Sequence, residues 1–392
     1  MIKNKNKIFL IGTILLVIAV VFFFIQKNSF SLKDVSTDDS MKENIEVTVP
    51  VTSQELFADY YSEAQKILEK MSLEEKVGQL FLVRFNKEVE KQIKDYYPGG
   101  YVLYACDFED KTKEEVTKKL QSLQDESKYP LVFAVDEEGG TVTRVSRYKA
   151  FRNEKFKSPQ ELYHEGGYEL LEKTEKEKAE LLLSLGIQMN LAPVADVSID
   201  PNDYIYERAL GEDAHTTAEY IEKMVGYAND SALIATLKHF PGYGNNKDTH
   251  TGIAIDKRSY EAFLNEDYLP FKKGIEAGVP AILVSHNIIT CLDEQYPATL
   301  SKKVIAELRQ TLNFSGIIVT DDLAMDAVKS YVENNEAATL AINAGNDLII
   351  TSDFITMYEE VMENIAKGKI SISTVDTAVK RILAWKLAYN IL

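Results

Sequence analysis

The stretch Leu237-Lys-His-Phe-Pro-Gly-Tyr-Gly-Asn-Asn-Lys-Asp-Thr-His250 concentrates reactive side chains. An apolar run, Ala232 to Leu237, reads as a buried strand, and it ends in Lys238-His239, which a core strand does not normally carry. Pro241, Gly242 and Gly244 then break regular structure, and Asp248 and His250 close the loop. Two of the five histidines fall here. An amine, imidazoles and a carboxylate gathered just after a strand mark a site rather than a connection.

Similar groups recur after other apolar runs. One run ends at Asp136, in Asp136-Glu-Glu-Gly-Gly140, with Arg144 shortly after. Another leads through Pro193 to Asp196, and its loop carries Arg208-Ala-Leu-Gly-Glu-Asp213. Two more end in Ser285-His286-Asn287 and Thr320-Asp321-Asp322. Each has a plain structural explanation taken alone. Asp136, Asp196 and Asp321 could cap helices, Arg208 could pair with Glu212 or Asp213, and His286 reads best as a satisfied core histidine. Together they are harder to dismiss, because caps do not call for Lys, Arg and His at the same strand ends.

Several chemistries lack their motifs. There is no GxxxxGK phosphate loop, Rossmann fingerprint, HExxH pair or GxSxG elbow. Metal binding by His239, His250 and carboxylates stays open at this point. Otherwise the set suits a carboxylate nucleophile, with His or Asp for proton transfer and Lys and Arg for hydroxyl or carboxylate recognition. Glycosyl transfer to water fits that description.

Eight short apolar runs must position these groups: Gln79–Val83, Tyr101–Tyr104, Leu131–Val135, Gln188–Val194, Leu233–Leu237, Ala281–Ser285, Ile317–Thr320 and Asp347–Thr351. Helical stretches alternate with them, from Leu56–Met71, through a capping box at Ser72–Glu75, to Ile355–Lys367 and Ser373–Tyr389. Strands apolar on both faces indicate a parallel sheet covered by helices. The alternation predicts an α/β fold, a (β/α)₈ TIM barrel over residues 54–392, with an open doubly wound sheet as the competing arrangement. The active end of such a barrel is the C-terminal end of its strands.

The chain has 392 residues and a net charge of −17, so it repels phosphate backbones and nucleic acid is excluded as a partner. Residues 8–25 are apolar and uncharged, and Lys3, Lys5 and Lys7 precede them in the basic stub 1–7. That run is just long enough to span a bilayer, with the N-terminus inside. It predicts a single-pass membrane anchor, followed by a polar linker over 26–53 and an extracytoplasmic catalytic domain; cleavage as a signal peptide is the competing reading. Cys106 and Cys291, the only cysteines, are expected as free thiols. A monomer is expected.

From roughly Met71 to Trp385 the sequence resembles the exo-acting β-N-acetylglucosaminidases of glycoside hydrolase family 3. The ordered motifs are Asp136-Glu-Glu-Gly-Gly, Ala192-Pro-Val, Arg208-Ala-Leu-Gly-Glu-Asp213, Lys238-His-Phe-Pro-Gly, Asp248-Thr-His250, Pro297-Ala-Thr-Leu-Ser301, Thr320-Asp-Asp-Leu323 and Ala344-Gly-Asn-Asp347. The resemblance implies a retaining hydrolase acting on terminal GlcNAc, with no metal or organic cofactor. It implies Asp321 as nucleophile, with Asp322 the rival, His250 as general acid/base and Asp248 as the partner of that imidazole. It assigns Asp136, Arg144, Arg208, Lys238 and His239 to the sugar's hydroxyls and N-acetyl group. This sequence departs from the pattern in three places. Thr141 stands where many relatives have Arg, Tyr243 stands where His is usual, and the Gly244–Asp248 interval is one residue short.

Overall fold

The computed structural model describes residues 55–244, 254–329, 331–332 and 336–392. The basic stub, the expected membrane segment 8–25 and the linker lie outside these residues, as do Asp248 and His250. Among the described residues no helix is long and apolar enough to cross a membrane.

Eight parallel strands form one sheet: β1 (Phe81–Arg84), β2 (Gly100–Leu103), β3 (Val132–Val135), β4 (Met189–Asn190), β5 (Ile234–Phe240), β6 (Ala281–Val284), β7 (Ile317–Thr320) and β8 (Ile349–Thr351). Their order is β8-β1-β2-β3-β4-β5-β6-β7. A parallel bridge between Val319 and Leu348 joins the two ends, so the sheet curls into a barrel. The strands are buried on both faces, as a sheet covered by helices requires: Phe81, Phe133, Leu237, Ile282 and Ile318 are all fully buried. Helices Lys113–Glu126, Pro159–Ser184 and Ala214–Asp230 cover the outside. They begin on Thr112, Ser158 and Asp213, whose side chains accept from backbone N–H groups in the first turn.

Four expectations need correcting. Gln79 is the last residue of the helix Leu73–Gln79, not the start of β1, because the Ser72–Glu75 capping box starts that helix and Gln79 then donates to Tyr97 O at 2.8 Å. The fourth strand is much shorter than Gln188–Val194, because Pro193 has no N–H for the ladder. β5 runs on through Lys238 and His239 instead of stopping before them, with a register shift between Leu237 and Phe240. Leu56–Met71 splits into a 3₁₀ turn, Ala58–Tyr60, and a helix, Tyr61–Leu68. Elements without a sequence expectation include the helix Val89–Tyr96, which ends on Tyr97 in the left-handed region, and a two-stranded sheet pairing Ile255–Asp256 with Ile288–Ile289.

Candidate active site

The C-terminal ends of the strands surround a cavity of about 360 Å³. Asp136, Arg144, Arg208, Lys238, His239 and Asp321 all line it, although they come from four separate strand ends. The expected sugar-binding residues and the expected nucleophile therefore share one space.

Its floor is a charge network. Lys238 Nζ lies 2.7 Å from Asp136 Oδ1 and 2.6 Å from Glu138 Oε1. Arg208 donates to the same Glu138 through Nε at 2.9 Å and Nη2 at 2.8 Å. Burial alone would push the Glu138 carboxyl up, but the Arg208 and Lys238 cations beside it hold it well below the usual range. Arg208 is in turn held charged by Glu138 against the effect of its own burial. Glu138 and Arg208 thus stay ionised at neutral pH, and the network presents fixed donors and acceptors, as a polyhydroxy ligand requires.

His239 is oriented from behind. Its Nδ1 lies 2.7 Å from Asp196 Oδ2, so the carboxylate fixes the proton on Nδ1. Nε2 then accepts from Arg208 Nη2 at 3.1 Å. The other oxygen of Asp196 accepts from Tyr243 N at 2.7 Å. Asp196 is thus no helix cap; it ties the imidazole to the turn that follows it.

Arg144 approaches Asp136 at 3.8 Å and lies over the Tyr104 ring, its guanidinium carbon 5.7 Å from the centroid. Its Nε is buried and has no protein partner. The loop that presents it is held by buried Glu137, which accepts from Arg144 N at 2.8 Å and Val145 N at 2.7 Å. Tyr104 remains a neutral phenol, because burial and then the Asp136, Asp322 and Asp321 carboxylates push its pKa well up.

The two adjacent aspartates after β7 have different surroundings. Asp321 lines the cavity, and its Oδ1 accepts from Asp322 N at 2.8 Å. Asp322 Oδ1 accepts from Ala324 N at 2.9 Å and Ser352 N at 3.1 Å, which makes it a turn anchor. His286 is buried and bonded at both nitrogens, to Thr299 Oγ1 at 2.5 Å and Asp322 O at 3.1 Å, as expected of a core histidine.

The turn Pro241–Gly244 has little room. A side chain on Gly242, at φ 127°, would meet Asp267 Oδ1 at 2.1 Å, and one on Gly244, at φ 54°, would meet the Arg258 guanidinium at 2.6 Å. Arg258 bridges Asp256 and Asp267 at 2.8 and 2.7 Å.

Sequence reasoning passes over Glu138, Tyr104 and Glu207 as site residues. For Glu138 a signal existed, since it sits two positions after Asp136 and so faces the same side of an extended chain. Tyr104 and Glu207 carry none. Arg208 pairs with Glu138 rather than Glu212 or Asp213, and Asp213 caps the next helix instead. Among the described residues no cluster of three or more His, Cys, Asp or Glu groups is arranged to hold a metal ion. Both cysteines are free and exposed.

A parallel eight-stranded barrel with paired carboxylates, arginines, lysine and histidine around one polar pocket at its strand ends defines a class: a barrel enzyme acting on a hydroxyl-rich substrate. Comparison with known proteins makes it particular. The chain belongs to glycosyl hydrolase family 3, whose N-terminal domain profile matches residues 72–385. It is 34% identical over 265 residues to a β-hexosaminidase of Actinobacillus pleuropneumoniae, covering 64% of this chain and 73% of that one. A β-hexosaminidase of Nitrosomonas eutropha is 29% identical over 293 residues, 71% of this chain and 80% of its own. Among solved structures, a family 3 β-N-acetylglucosaminidase from Paenibacillus sp. superposes with a TM-score of 0.76 at 28% identity, over 82% of this chain and 63% of that chain. The protein is a glycoside hydrolase.

Proposed function

We propose that the protein is a retaining exo-β-N-acetylglucosaminidase that removes terminal β-linked GlcNAc from cell-wall (peptidoglycan) fragments or related glycans. The observation that carries this reading is the single cavity uniting Asp321 with the Asp136–Lys238–Glu138–Arg208 network and His239. The network and Arg144 hold the sugar's hydroxyls and N-acetyl group. An Asp321 oxygen attacks the anomeric carbon, and His250 protonates the departing glycosidic oxygen. A glycosyl-aspartate forms. His250 then takes a proton from water, which attacks the same carbon, releases Asp321 and restores the β configuration. Asp248 stabilises the imidazolium that donates in the first step and is regenerated in the second. No metal or organic cofactor enters this scheme. Likeness to β-hexosaminidases supports the sugar assignment.

The proposed setting is the outer face of the cell membrane, with residues 8–25 as an uncleaved anchor. The apolar run and the lysines before it support this. Membrane fractionation of the full chain, followed by protease accessibility of the barrel in intact cells, tests it. Loss of the barrel from the membrane fraction would show cleavage instead.

Residues 45–392, assayed on aryl β-N-acetylglucosaminide, β-glucoside and β-xyloside with and without phosphate, test the activity. Release from the N-acetyl substrate alone, at a rate independent of phosphate, is expected. A phosphate-dependent rate would identify a phosphorylase, and sugar binding without turnover would identify a glycan-binding protein.

A further inference from the structure

Among the described residues that line the cavity, Thr141, Tyr204 and Glu207 are exposed and the others are buried or half-buried. These three frame the mouth. Tyr204 differs from the other two in being aromatic and in how firmly it is held. It is 39% exposed, and its ring lies 5.7 Å from that of Tyr243, tilted by 41°. Tyr243 is itself buried and meets His239 edge-on, with centroids 5.4 Å apart. The three rings form a wall running from the charged floor to solvent.

The loop behind this wall is constrained independently of any ligand. Ser198 Oγ donates to Asp203 Oδ2 at 2.8 Å, and Asp203 N donates to Asp200 O at 3.0 Å. Ile205, next to Tyr204, is fully buried in a small apolar cluster with Val194 and Tyr243. Arg208 N donates to Ile205 O at 2.9 Å, which links the loop to the charge network. An exposed tyrosine held at a pocket mouth is a pre-formed contact surface, with little ordering left to do on binding.

What would meet it follows from the reaction. The floor takes the sugar that is transferred, so the leaving group extends through the mouth. A β-pyranose has an apolar face of axial C–H bonds, which suits an aromatic ring, and equatorial hydroxyls that donate to carboxylates. We infer that Tyr204 is the platform of a leaving-group subsite, stacking on the pyranose next to the cleaved bond while Glu207 accepts from its hydroxyls. This specificity role rests on the glycosidase reading above. Tyr243, the residue that departs from the family pattern, braces the platform from the buried side.

The test compares the wild-type protein, Tyr204→Ala and Tyr204→Phe on β-1,4-linked GlcNAc disaccharide, with free GlcNAc as a competitive inhibitor. Tyr204→Ala is expected to lose roughly tenfold in kcat/KM on the disaccharide, mainly through KM, while its inhibition constant for free GlcNAc stays within about twofold of wild type. Tyr204→Phe, which keeps the ring face, should stay close to wild type. The inference is overturned if Tyr204→Ala cleaves the disaccharide as wild type does. An equal weakening of free GlcNAc also overturns it, by placing Tyr204 in the transferred-sugar pocket, as does a Tyr204→Phe defect as large as that of Ala. If the wild-type protein cleaves nothing, the hydrolase reading fails separately. Calorimetry with the disaccharide and free GlcNAc then makes the same comparison, and equal disaccharide affinity in wild type and Tyr204→Ala, or no binding at all, rejects the subsite.

Discussion

Asp196 holds His239 twice through one oxygen: Oδ2 lies 2.7 Å from the ring Nδ1 and 3.1 Å from the backbone N of the same residue. The imidazole can therefore neither rotate nor change tautomer without breaking a buried bond to a carboxylate. Asp196→Asn keeps the shape but turns an acceptor into a donor on one side, facing either His239 or Tyr243 N. Steady-state kinetics should show a loss of about tenfold or more in kcat/KM, the cost of one unsatisfied buried group. The circular dichroism spectrum should remain that of wild type.

Asp321 and Asp322 should separate cleanly. Removing a nucleophile leaves binding intact and stops chemistry, so Asp321→Ala should lower kcat by roughly 10³-fold or more with the inhibition constant for GlcNAc little changed. Asp322 anchors Ala324 N and Ser352 N, and Asp322→Ala should cost about 1 kcal/mol of stability per lost bond. Thermal unfolding run beside the kinetics distinguishes the two. A larger kcat loss in Asp322→Ala than in Asp321→Ala would reverse the assignment.

Glu138→Ala leaves Arg208 and Lys238 facing each other without their shared carboxylate. Breaking a buried ionic cluster in this way costs roughly 3–5 kcal/mol, to be read by denaturant unfolding at pH 7. The pH dependence has a definite sign. The Glu138 carboxyl is depressed in the fold, so its contribution is complete above the unfolded value of 4.5 and falls away as pH drops toward the lower folded value. The stability gap between wild type and Glu138→Ala should shrink below pH 4.5, and a gap independent of pH would argue against the ion pair.

Lys386 offers the opposite case, at the N-terminal ends of the strands, far along the chain from any cavity residue. It is fully buried, donating to Gln79 Oε1 at 2.8 Å and Pro130 O at 2.7 Å. Burial pushes its amine down from 10.5 to about 7. Between those values the unfolded chain binds the extra proton, so this group makes stability rise with pH from about 7 to 10.5, and below 7 its penalty is complete. Lys386→Met removes that dependence. Its melting temperature relative to wild type should fall steadily as pH is raised across the window, and KM should not move.

Much of this molecule was legible from local pattern. The eight strands fall within a few residues of the apolar runs, and Asp136, Arg144, Arg208, Lys238, His239 and Asp321 line one cavity. The reason is geometric. In a parallel barrel every strand points the same way, so reactive residues that follow apolar runs collect on one rim whatever the pairing between strands. The Ser72 capping box was readable too, since its partners lie within one turn.

The sequence by itself thus determined the strand–helix alternation, the end of the barrel that carries chemistry and the residue types available there. The tertiary structure decided who pairs with whom. Arg208 reaches across 70 positions to Glu138 rather than to its neighbours, and Asp196 serves His239, 43 positions away, rather than a helix end. It also decided which of two adjacent aspartates enters the cavity and placed Tyr204 at the mouth. Such pairings depend on strand register and on how the rim loops pack. These are set by burial summed over the whole barrel, and no local pattern of residues encodes them.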